Sequence, residues 1–329
     1  MPPHHWSSPT AALTLALRPI AAAFAVLVAL RKRLYDWGIL KTQTLPVPVV
    51  VVGNVVAGGV GKTPVVIALA QRLLRMGYRP GVISRGYGRQ NKACCIVTSQ
   101  SSAQEVGDEP LLIHKLCGIP VAVASHRVQA ATALIAAHPD CNVIISDDGL
   151  QHLALGRDIE IVLFDERGVG NHYLMPAGPL REPWPRQPRC PVHLVLSDVP
   201  RQLSSHAVSS TGQSYPLSAI TRQTTHVLAG IAKPDAFFQM LRDRNLVLTS
   251  CTAYPDHKNF ISADLADQLA TQTNAIWLCT EKDAVKLWQL YPGHAHRILS
   301  IPLIVELDAT FLSVLDATIQ ALIRQHTDL

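Results

Sequence analysis

The sequence predicts an α/β fold in which a mostly parallel sheet carries helices on both faces and is followed by a second, smaller α/β domain. Three observations predict this fold. β-branched runs alternate with stretches at helical spacing from Val47 onward, a glycine-rich turn joins the first run to a helix, and the alternation resumes at Val227. Such alternation is typical of parallel strands connected by helices.

The chain is long enough for more than one domain. Its 329 residues, 48% of them apolar, exceed the ~100–200 residues of a typical domain. We predict an N-terminal helical segment over 1–45, a core domain over 46–215 and a C-terminal α/β domain over 216–329 that closes over the core domain. Residues 204–214 are rich in Ser, Thr, Gly and Gln, so we interpret them as the connection between the domains.

The spacing of the apolar residues and the positions of Gly and Pro predict the individual strands and helices. In the core domain the predicted strands cover 49–52, 81–84, 120–124, 143–146, 159–164 and 192–196, and the predicted helices cover 63–76, 110–117 and 127–137. In the C-terminal domain the strands cover 227–231, 246–249 and 276–279, and the helices 236–244, 265–272, 282–290 and a closing stretch. Residues 171–191 contain six prolines, which indicates a loop near the site.

Charge and cysteine usage narrow the class of protein. The net charge of +5 is modest and no long Lys/Arg run is interleaved with aromatic residues, so we expect no nucleic-acid partner. An anionic substrate or an anionic membrane surface accounts for the charge equally well. The seven cysteines contain no Cys-x-x-Cys pair, which predicts reduced thiols in the cytoplasm. The sequence indicates no obligate protein partner.

The N-terminal segment is the most apolar part of the chain. Residues 11–30 are apolar except for Thr14 and Arg18, and Arg31-Lys32-Arg33 follows at once. A signal peptide places its charge before the apolar stretch, so that alternative is disfavoured. A spanning helix is marginal because Arg18-Pro19 interrupts the stretch. A buried helix stays open, but we prefer a peripheral or monotopic helix lying in a membrane interface.

The sharpest motif is Gly58-Gly59-Val60-Gly61-Lys62-Thr63, between a strand and a helix. Backbone N–H groups of such a loop point at phosphate oxygens, Lys62 reaches the terminal phosphates and the Thr63 hydroxyl holds Mg²⁺. Val56 stands where the usual motif has its first glycine. A loop that only turned a strand into a helix would not need the Lys-Thr pair, so we predict ATP or a similar nucleotide and a phosphate-loop NTPase-like sheet.

Two pairs of carboxylates are candidates for binding the metal or for catalysis. Asp147 and Asp148 end a buried-type strand, where a phosphate loop needs a carboxylate for its metal, although Asp-Gly is also a common turn. Asp108-Glu109 opens a predicted helix, where simple capping explains it equally well. His257 lies in a loop of the second domain, and from its position alone a surface or packing role is the more common one.

The ordered set of motifs resembles the tetraacyldisaccharide 4'-kinase family of lipid A biosynthesis. The residues that carry the resemblance span nearly the whole chain: Val51-Val52-Gly53-Asn54 before Gly61-Lys62-Thr63, Ser84-Arg85-Gly86-Tyr87-Gly88-Arg89, Gly107-Asp108-Glu109-Pro110, Asp147-Asp148-Gly149-Leu150-Gln151-His152, Pro176-Ala177-Gly178-Pro179-Leu180-Arg181-Glu182, Pro255-Asp256-His257 and Thr280-Glu281-Lys282-Asp283. The resemblance implies transfer of the γ-phosphate of ATP to the 4'-hydroxyl of a tetraacylated glucosamine disaccharide 1-phosphate. It also implies an N-terminal membrane helix at the cytoplasmic face of the bacterial inner membrane.

The resemblance also assigns roles to individual residues. It implies that Asp108 is the base, that His257 pairs with it from the second domain, and that Lys62 handles phosphate. The implied metal ligands are Thr63, Asp147, Asp148 and Glu182. The implied substrate-binding residues are Arg85, Tyr87, Glu109, Arg127, Gln151, His152 and Arg181.

Two other functions compete with the kinase. A GTP-dependent switch or metallochaperone would carry Asn or Thr, then Lys, any residue and Asp, but Ala232-Lys233-Pro234-Asp235 lacks the first residue of that signature. A membrane-bound scaffold with a structural nucleotide is the remaining alternative.

Overall fold

The computed structural model of the protein describes residues 3–220, 223–256 and 260–327. After a 3-10 turn at His4–Ser7, helix α1 runs over Ala12–Asp36. The interruption predicted at Arg18-Pro19 is wrong, because the helix continues through Pro19. Alanine and leucine around the proline favour the helix, and one lost backbone hydrogen bond does not break it here.

Helix α1 is exposed along most of its length. Only Thr14 and Ala21 are buried in it, which disfavours a helix of the protein core. Large apolar side chains face outward instead; the most exposed of them are Leu13, Ile20, Val26 and Leu27. By length and composition α1 could cross a membrane.

The first sheet has seven strands in the order β3-β4-β2-β5-β1-β6-β7. The strands are β1 Val49–Gly53, β2 Pro80–Ser84, β3 Cys95–Ile96, β4 Val121–Val123, β5 Val143–Asp147, β6 Ile159–Phe164 and β7 Val192–Ser197. The connecting helices are α2 Lys62–Arg75, α3 Ala103–Val106, α4 Asp108–Cys117 and α5 Arg127–Ala137. All pairs are parallel except β3 with β4, so the predicted fold class is confirmed.

The five inner strands of this sheet, β1, β2, β4, β5 and β6, are buried on both faces, which explains their continuous apolar runs, whereas the edge strands β3 and β7 are partly exposed. Val50 and Val52 face a core that also contains residues of α2 and α4, whereas Val49 and Val51 face a core formed with α5. Strand β1 lies between β5 and β6, with Val52 beside Asp147. The carboxyl ends of β1 and β5 therefore meet at one edge of the sheet.

The remaining chain forms a second sheet of six strands in the order β10-β9-β14-β13-β11-β12. Its region contains β8 Arg201–Leu203, β9 His206–Val208, β10 Ser214–Pro216, α6 Leu217–Ile220, β11 Thr225–Ala229, α7 Pro234–Arg242, β12 Ser250–Ala253, α8 Ala263–Thr271, β13 Ile276–Thr280, α9 Glu281–Leu290, β14 Ile298–Ile301, β15 Leu303–Val305 and α10 Ala309–Thr327. A 3-10 turn at Pro292–His294 precedes β14.

Two predictions about this region are wrong. Residues 204–214 are not a plain connection, because β9 and β10 pair as an antiparallel hairpin in the second sheet. The strand predicted at 246–249 lies instead at Ser250–Ala253. Leu246 follows a turn at Asn245, whose φ is 60°, and is buried in the core beneath α7, so its apolar character reflects packing rather than a strand.

A two-stranded ribbon and the last helix connect the two sheets. Strand β8 pairs with β15 in antiparallel fashion, with Leu203 opposite Leu303. Helix α10 then returns to the first core, where Leu315 is buried with residues of α2 and Asp316 pairs with Arg72. The domain division at 45/46 and 215/216 stays a prediction.

Candidate nucleotide and substrate site

The glycine-rich loop connects β1 to α2 as the motif predicts. Gly61 has φ 76° and Gly58 has φ 104°, a region that residues with side chains rarely adopt. A Cβ at Gly61 would also lie 2.4 Å from Arg201 Nη2. The loop therefore requires glycine for its backbone conformation and for its close neighbours, and its N–H groups stay available for an anion.

Lys62 lies at the first position of α2 and points back across the loop. Its Nζ donates to Asn54 Oδ1 at 3.1 Å and lies 3.5 Å from Asp148 Oδ1. Asn54 also donates to the carbonyl of Val56, so it fixes both the loop and the lysine. Sequence reasoning gave Asn54 no role of its own, although its place directly after β1 indicated one.

Asp147 is the most deeply buried carboxylate of the site. Its exposed fraction is 1%, Ser84 Oγ lies 3.5 Å from Oδ2, and Oδ1 has no hydrogen-bond partner among the described residues. Burial, together with the negative charges of Glu109 and Asp148, raises the pKa of Asp147 to about 7. A cation beside Oδ1 would relieve this cost.

The donor atoms fit Mg²⁺. Thr63 is buried in the first turn of α2, so its hydroxyl and Asp147 would supply two hard oxygen ligands. No group of three His, Cys, Asp or Glu suited to a metal occurs in the described chain. Mg²⁺ needs no such cage, since it is usually bound by one or two carboxylates with water and substrate phosphate.

Asp148 differs from Asp147 in its environment. Burial opposes its charge, but Lys62, Arg181 and Arg127 outweigh burial and lower the pKa of Asp148 below its usual value. Arg181 Nη1 lies 3.3 Å from Asp148 Oδ1. Asp148 therefore stays ionised. It links the phosphate loop to residues 171–191, the proline-rich loop.

Arg127 braces the turn after β5. Its exposed fraction is 2%, and its Nη2 donates to the Asp147 carbonyl at 3.0 Å. Burial lowers the pKa of Arg127 to about 10, and Asp147 and Asp148 partly oppose that effect. The guanidinium remains a cation at neutral pH, and it also lines the cavity described below.

Gln151 connects the proline-rich loop to the phosphate loop. Its Nε2 donates to Glu182 Oε1 at 2.8 Å and to the Asn54 carbonyl at 3.1 Å. Glu182 also lies 3.3 Å from Arg186 Nε. Glu182 is thus paired with polar groups of the chain, and its role as a metal ligand stays a prediction.

A cavity of about 410 Å³ lies between α1 and this edge of the sheet. Its residues from α1 are Phe24, Leu27, Val28, Arg31 and Lys32, and those from the sheet and loops include Arg85, Arg127, Asp148, Gln151, His152, Arg181, Glu182, Arg186 and Arg189. The wall formed by α1 is apolar at Phe24, Leu27 and Val28 and cationic at the two lining residues that follow them, and the wall formed by the sheet and loops is strongly cationic. Burial, with Arg127 and Arg85 nearby, lowers the pKa of His152 to about 3, so this imidazole is neutral at pH 7.

Contacts at both ends hold α1 against this cavity. Trp6 Nε1 donates to the Pro176 carbonyl at 3.1 Å, ahead of the helix. Arg18 lies 5.3 Å from the centre of the Tyr173 ring. Arg189 Nη1 lies 2.8 Å from Asp36 Oδ1 at the end of the helix. The proline-rich loop, predicted to lie near the site, therefore positions α1 as well as Arg181.

Asp108 lies at the N-terminus of α4, where a lysine from α9 reaches it. Lys286 Nζ donates to Asp108 Oδ2 at 3.0 Å, and both side chains are largely buried. Helices α4 and α9 pack on each other, so this ion pair joins the two sheet regions. His257, the predicted partner of Asp108, lies outside the described residues. Lys286 was missed because only tertiary packing brings it to Asp108.

The structure brings most of the predicted site residues together. Seven of them line the cavity, namely Arg85, Arg127, Asp148, Gln151, His152, Arg181 and Glu182. Tyr87, Asp108 and Glu109 are outside its lining, although Glu109 is close enough to affect the pKa of Asp147. Four further cationic residues line the cavity but were not predicted as substrate-binding residues, namely Arg31, Lys32, Arg186 and Arg189. The first two belong to the basic cluster that follows the apolar segment, where the sequence already singled them out.

Known proteins are similar to this chain in both sequence and fold. A profile of the family described as tetraacyldisaccharide-1-P 4'-kinase matches residues 13–320. The tetraacyldisaccharide 4'-kinase of Acidovorax sp. (strain JS42) is 48% identical over 323 residues, covering 94% of this chain and 92% of that protein. The enzyme of the same name from Polaromonas naphthalenivorans (strain CJ2) is 48% identical over 320 residues, with the same coverage.

A solved structure is similar to this chain over most of its length. The crystal structure of LpxK from Aquifex aeolicus in complex with ATP has a TM-score of 0.79 and 27% identity, covering 94% of this chain and 99% of that one. The match spans the phosphate-loop sheet, the second sheet and nearly the whole of both chains. The chain belongs to the tetraacyldisaccharide-1-P 4'-kinase family.

Proposed function

We propose that this protein transfers the γ-phosphate of ATP to the 4'-hydroxyl of a tetraacylated glucosamine disaccharide 1-phosphate. One observation carries the proposal: a single cavity is lined both by Asp148 beside the phosphate loop and by the apolar face of α1. A phosphorylated glycolipid needs both environments, since its head group is polar and anionic and its acyl chains are not. The names of the relatives point to the same substrate.

The phosphate loop would hold the nucleotide. The N–H groups of 58–63 would bind phosphate oxygens, and Lys62, now 3.5 Å from Asp148, would shift its contact to the terminal phosphates. Thr63 and Asp147 would hold Mg²⁺, which neutralises charge on the phosphates when bound. Because Oδ1 of Asp147 has no protein partner among the described residues, we assign the direct metal contact to Asp147 rather than Asp148.

Asp108 would accept the proton of the attacking hydroxyl. Its carboxylate projects from the first turn of α4, and its bond to Lys286 orients it. A base within hydrogen-bond reach of the hydroxyl contributes typically ~10²–10⁴-fold to the rate. His257 of the second domain would pair with Asp108. The catalytic assignments of Asp108, His257 and Lys62 are then testable one by one.

The cationic wall of the cavity would bind the substrate. Arg85, Arg127 and Arg181 would face its polar head group, together with Gln151 and neutral His152. Phe24, Leu27 and Val28 would contact the beginning of the acyl chains. Tyr87 and Glu109 remain proposed substrate contacts from the loops next to this wall.

Helix α1 would place the enzyme at the cytoplasmic face of the inner membrane. Its exposed apolar side chains would enter the lipid boundary, and Arg31, Lys32 and Arg33 would meet anionic head groups. A surface-bound enzyme would meet its lipid substrate where that substrate resides. Binding to vesicles that contain anionic lipid tests this part independently of turnover.

The transfer itself is tested with γ-labelled ATP and detergent-dispersed tetraacyldisaccharide 1-phosphate. The expected result is label in the lipid with wild type and a loss of about 100-fold or more with Asp108→Ala. Retained ATP binding by Asp108→Ala supports its role as base, whereas an equal loss of ATP affinity argues against it. GTP outcompeting ATP in a binding assay, or no lipid label beside intact ATP binding, would favour the switch hypothesis.

A further inference from the structure

Arg201, the first residue of β8, lies against the phosphate loop. Its Nη2 donates to the Val60 carbonyl at 2.6 Å. Three atoms of its guanidinium lie 2.4–2.8 Å from the position that a Cβ at Gly61 would take. The guanidinium therefore occupies the space that the glycine leaves open, where the loop enters α2.

Among the described residues, the charge of Arg201 has no counter-ion. No carboxylate lies within ion-pair distance of Arg201 in the described parts of the chain, and its buried Nε has no hydrogen-bond partner there. Arg167 provides a contrast, because it donates to the Gly59 carbonyl at 3.2 Å but is paired with Asp165 at 2.8 Å. A half-buried guanidinium with unused donors is costly unless an anion joins it.

We propose that Arg201 binds the phosphate chain of the nucleotide from the side of the loop opposite to the aspartates. Strand order places it there, since β1 separates β5, which carries Asp147, from β6 and β7, which precede Arg201. The planar guanidinium can donate to Val60 and to a phosphate oxygen together, because it has five N–H donors in a fixed plane. This inference rests on the proposed use of ATP.

The position of Arg201 in β8 also connects the proposed phosphate contact to the ribbon of β8 and β15. Arg201 is paired with Val305 in the ribbon that connects the two sheets. A phosphate held by Arg201 is therefore tied directly to that ribbon. Binding of the nucleotide then restrains the segment through which the second sheet region is attached to the first.

The test compares nucleotide affinity in Arg201→Gln, in wild type and in the control Arg244→Gln. Arg244 also donates from its Nη2 to a backbone carbonyl, that of Leu203 in the same ribbon, but its contact is not with the phosphate loop. ATP dissociation constants are measured without lipid, together with the midpoint of thermal unfolding. Arg201→Gln should bind ATP about 10-fold or more weakly, as expected for loss of a charged hydrogen bond, while Arg244→Gln should bind as wild type does.

A second variant covers the case in which Arg201→Gln does not fold. Arg201→Lys keeps the charge, but a single ammonium cannot span Val60 and a phosphate, so its ATP affinity should still fall several-fold. Wild-type affinity in either folded Arg201 variant overturns the inference, as does an equal loss in Arg244→Gln. Failure of wild type itself to bind ATP would instead overturn the proposed function.

Discussion

Lys286 on α9 donates a 3.0 Å hydrogen bond to the carboxylate of Asp108 at the start of α4, and this pair joins the second sheet region to the proposed base of the first. The exposed fractions of the two side chains are only 9% and 11%. The ammonium also lies 5.2 Å from the centre of the Phe260 ring. The position of Asp108 thus depends on a residue 178 positions further along the chain.

Lys286→Met should reduce both stability and turnover. Removing one partner of a buried ion pair costs about 3–5 kcal/mol, so chemical denaturation should show a clear loss in the free energy of unfolding. Turnover should fall because Asp108 loses the contact that orients it, whereas ATP affinity should stay near wild type. In the double variant Asp108→Asn/Lys286→Met the second substitution should cost little further turnover. Independent, additive losses would show that Lys286 does not act through Asp108.

Gly61→Ala should abolish tight ATP binding, and Gly77→Ala should not. Both glycines have positive φ, 76° and 83°, so alanine at either position should cost about 1–2 kcal/mol of stability. At Gly61 the added methyl group meets the guanidinium of Arg201, whereas at Gly77 it meets no described residue. Thermal unfolding and ATP titration of the two variants separate the effects. Similar ATP affinities in both would contradict the proposed role of this part of the loop.

Glu281 should make the protein less stable as the pH rises toward 7. Burial raises the pKa of Glu281 to about 7, although its hydrogen bond from Leu303 N favours the charged form. Between its ordinary pKa and about 7 the folded protein binds the proton more tightly than the unfolded chain does, so stability falls over that interval and is level above it.

Glu281→Gln removes this titration and keeps an oxygen for Leu303 N. The variant should gain up to about 3 kcal/mol over the parent above pH 7 and little near pH 4. Urea denaturation at several pH values measures the difference. A gain that is the same at pH 4 and pH 8 would show that Glu281 does not titrate as proposed.

Ile20→Glu/Val26→Glu should weaken binding to vesicles without blocking the cavity. The exposed fractions of Ile20 and Val26 are 57% and 65%, and neither residue lines the cavity. Val247→Glu is the matched control, since Val247 is 71% exposed on the second sheet region. Co-sedimentation with anionic vesicles should fall only for the α1 variant. Equal binding by both variants would refute α1 as the membrane-binding element.

The sequence predicted best what short segments determine. The bounds of the helix after the phosphate loop, of β5 and of α5 were predicted within about a residue, because their strand and helix patterns are local and strong. The predicted polar residues of the cavity followed from the family resemblance rather than from the pattern alone. Asp147 and Asp148 looked equivalent in sequence, and only burial and neighbouring charges distinguish them.

Long-range packing was beyond the sequence pattern. The hairpin of β9 and β10 lies in a polar stretch with little strand character, and β8 finds its partner β15 about a hundred residues away. Lys286 and Arg201 look like ordinary surface cations until the fold places them beside Asp108 and Gly61. Arg18-Pro19 was predicted to interrupt the N-terminal apolar stretch, but α1 continues through Pro19 because its neighbours favour the helix.

The most direct test of the central claim is the position of the new phosphate. Tetraacyldisaccharide 1-phosphate is incubated with ATP, Mg²⁺ and the wild-type protein, and the lipid product is analysed by phosphorus NMR and mass spectrometry. The account predicts a bisphosphate with the second group on the 4'-oxygen, formed about 100-fold or more slowly by Asp108→Ala. ATP hydrolysis without lipid phosphorylation, or phosphate on another hydroxyl, would contradict it.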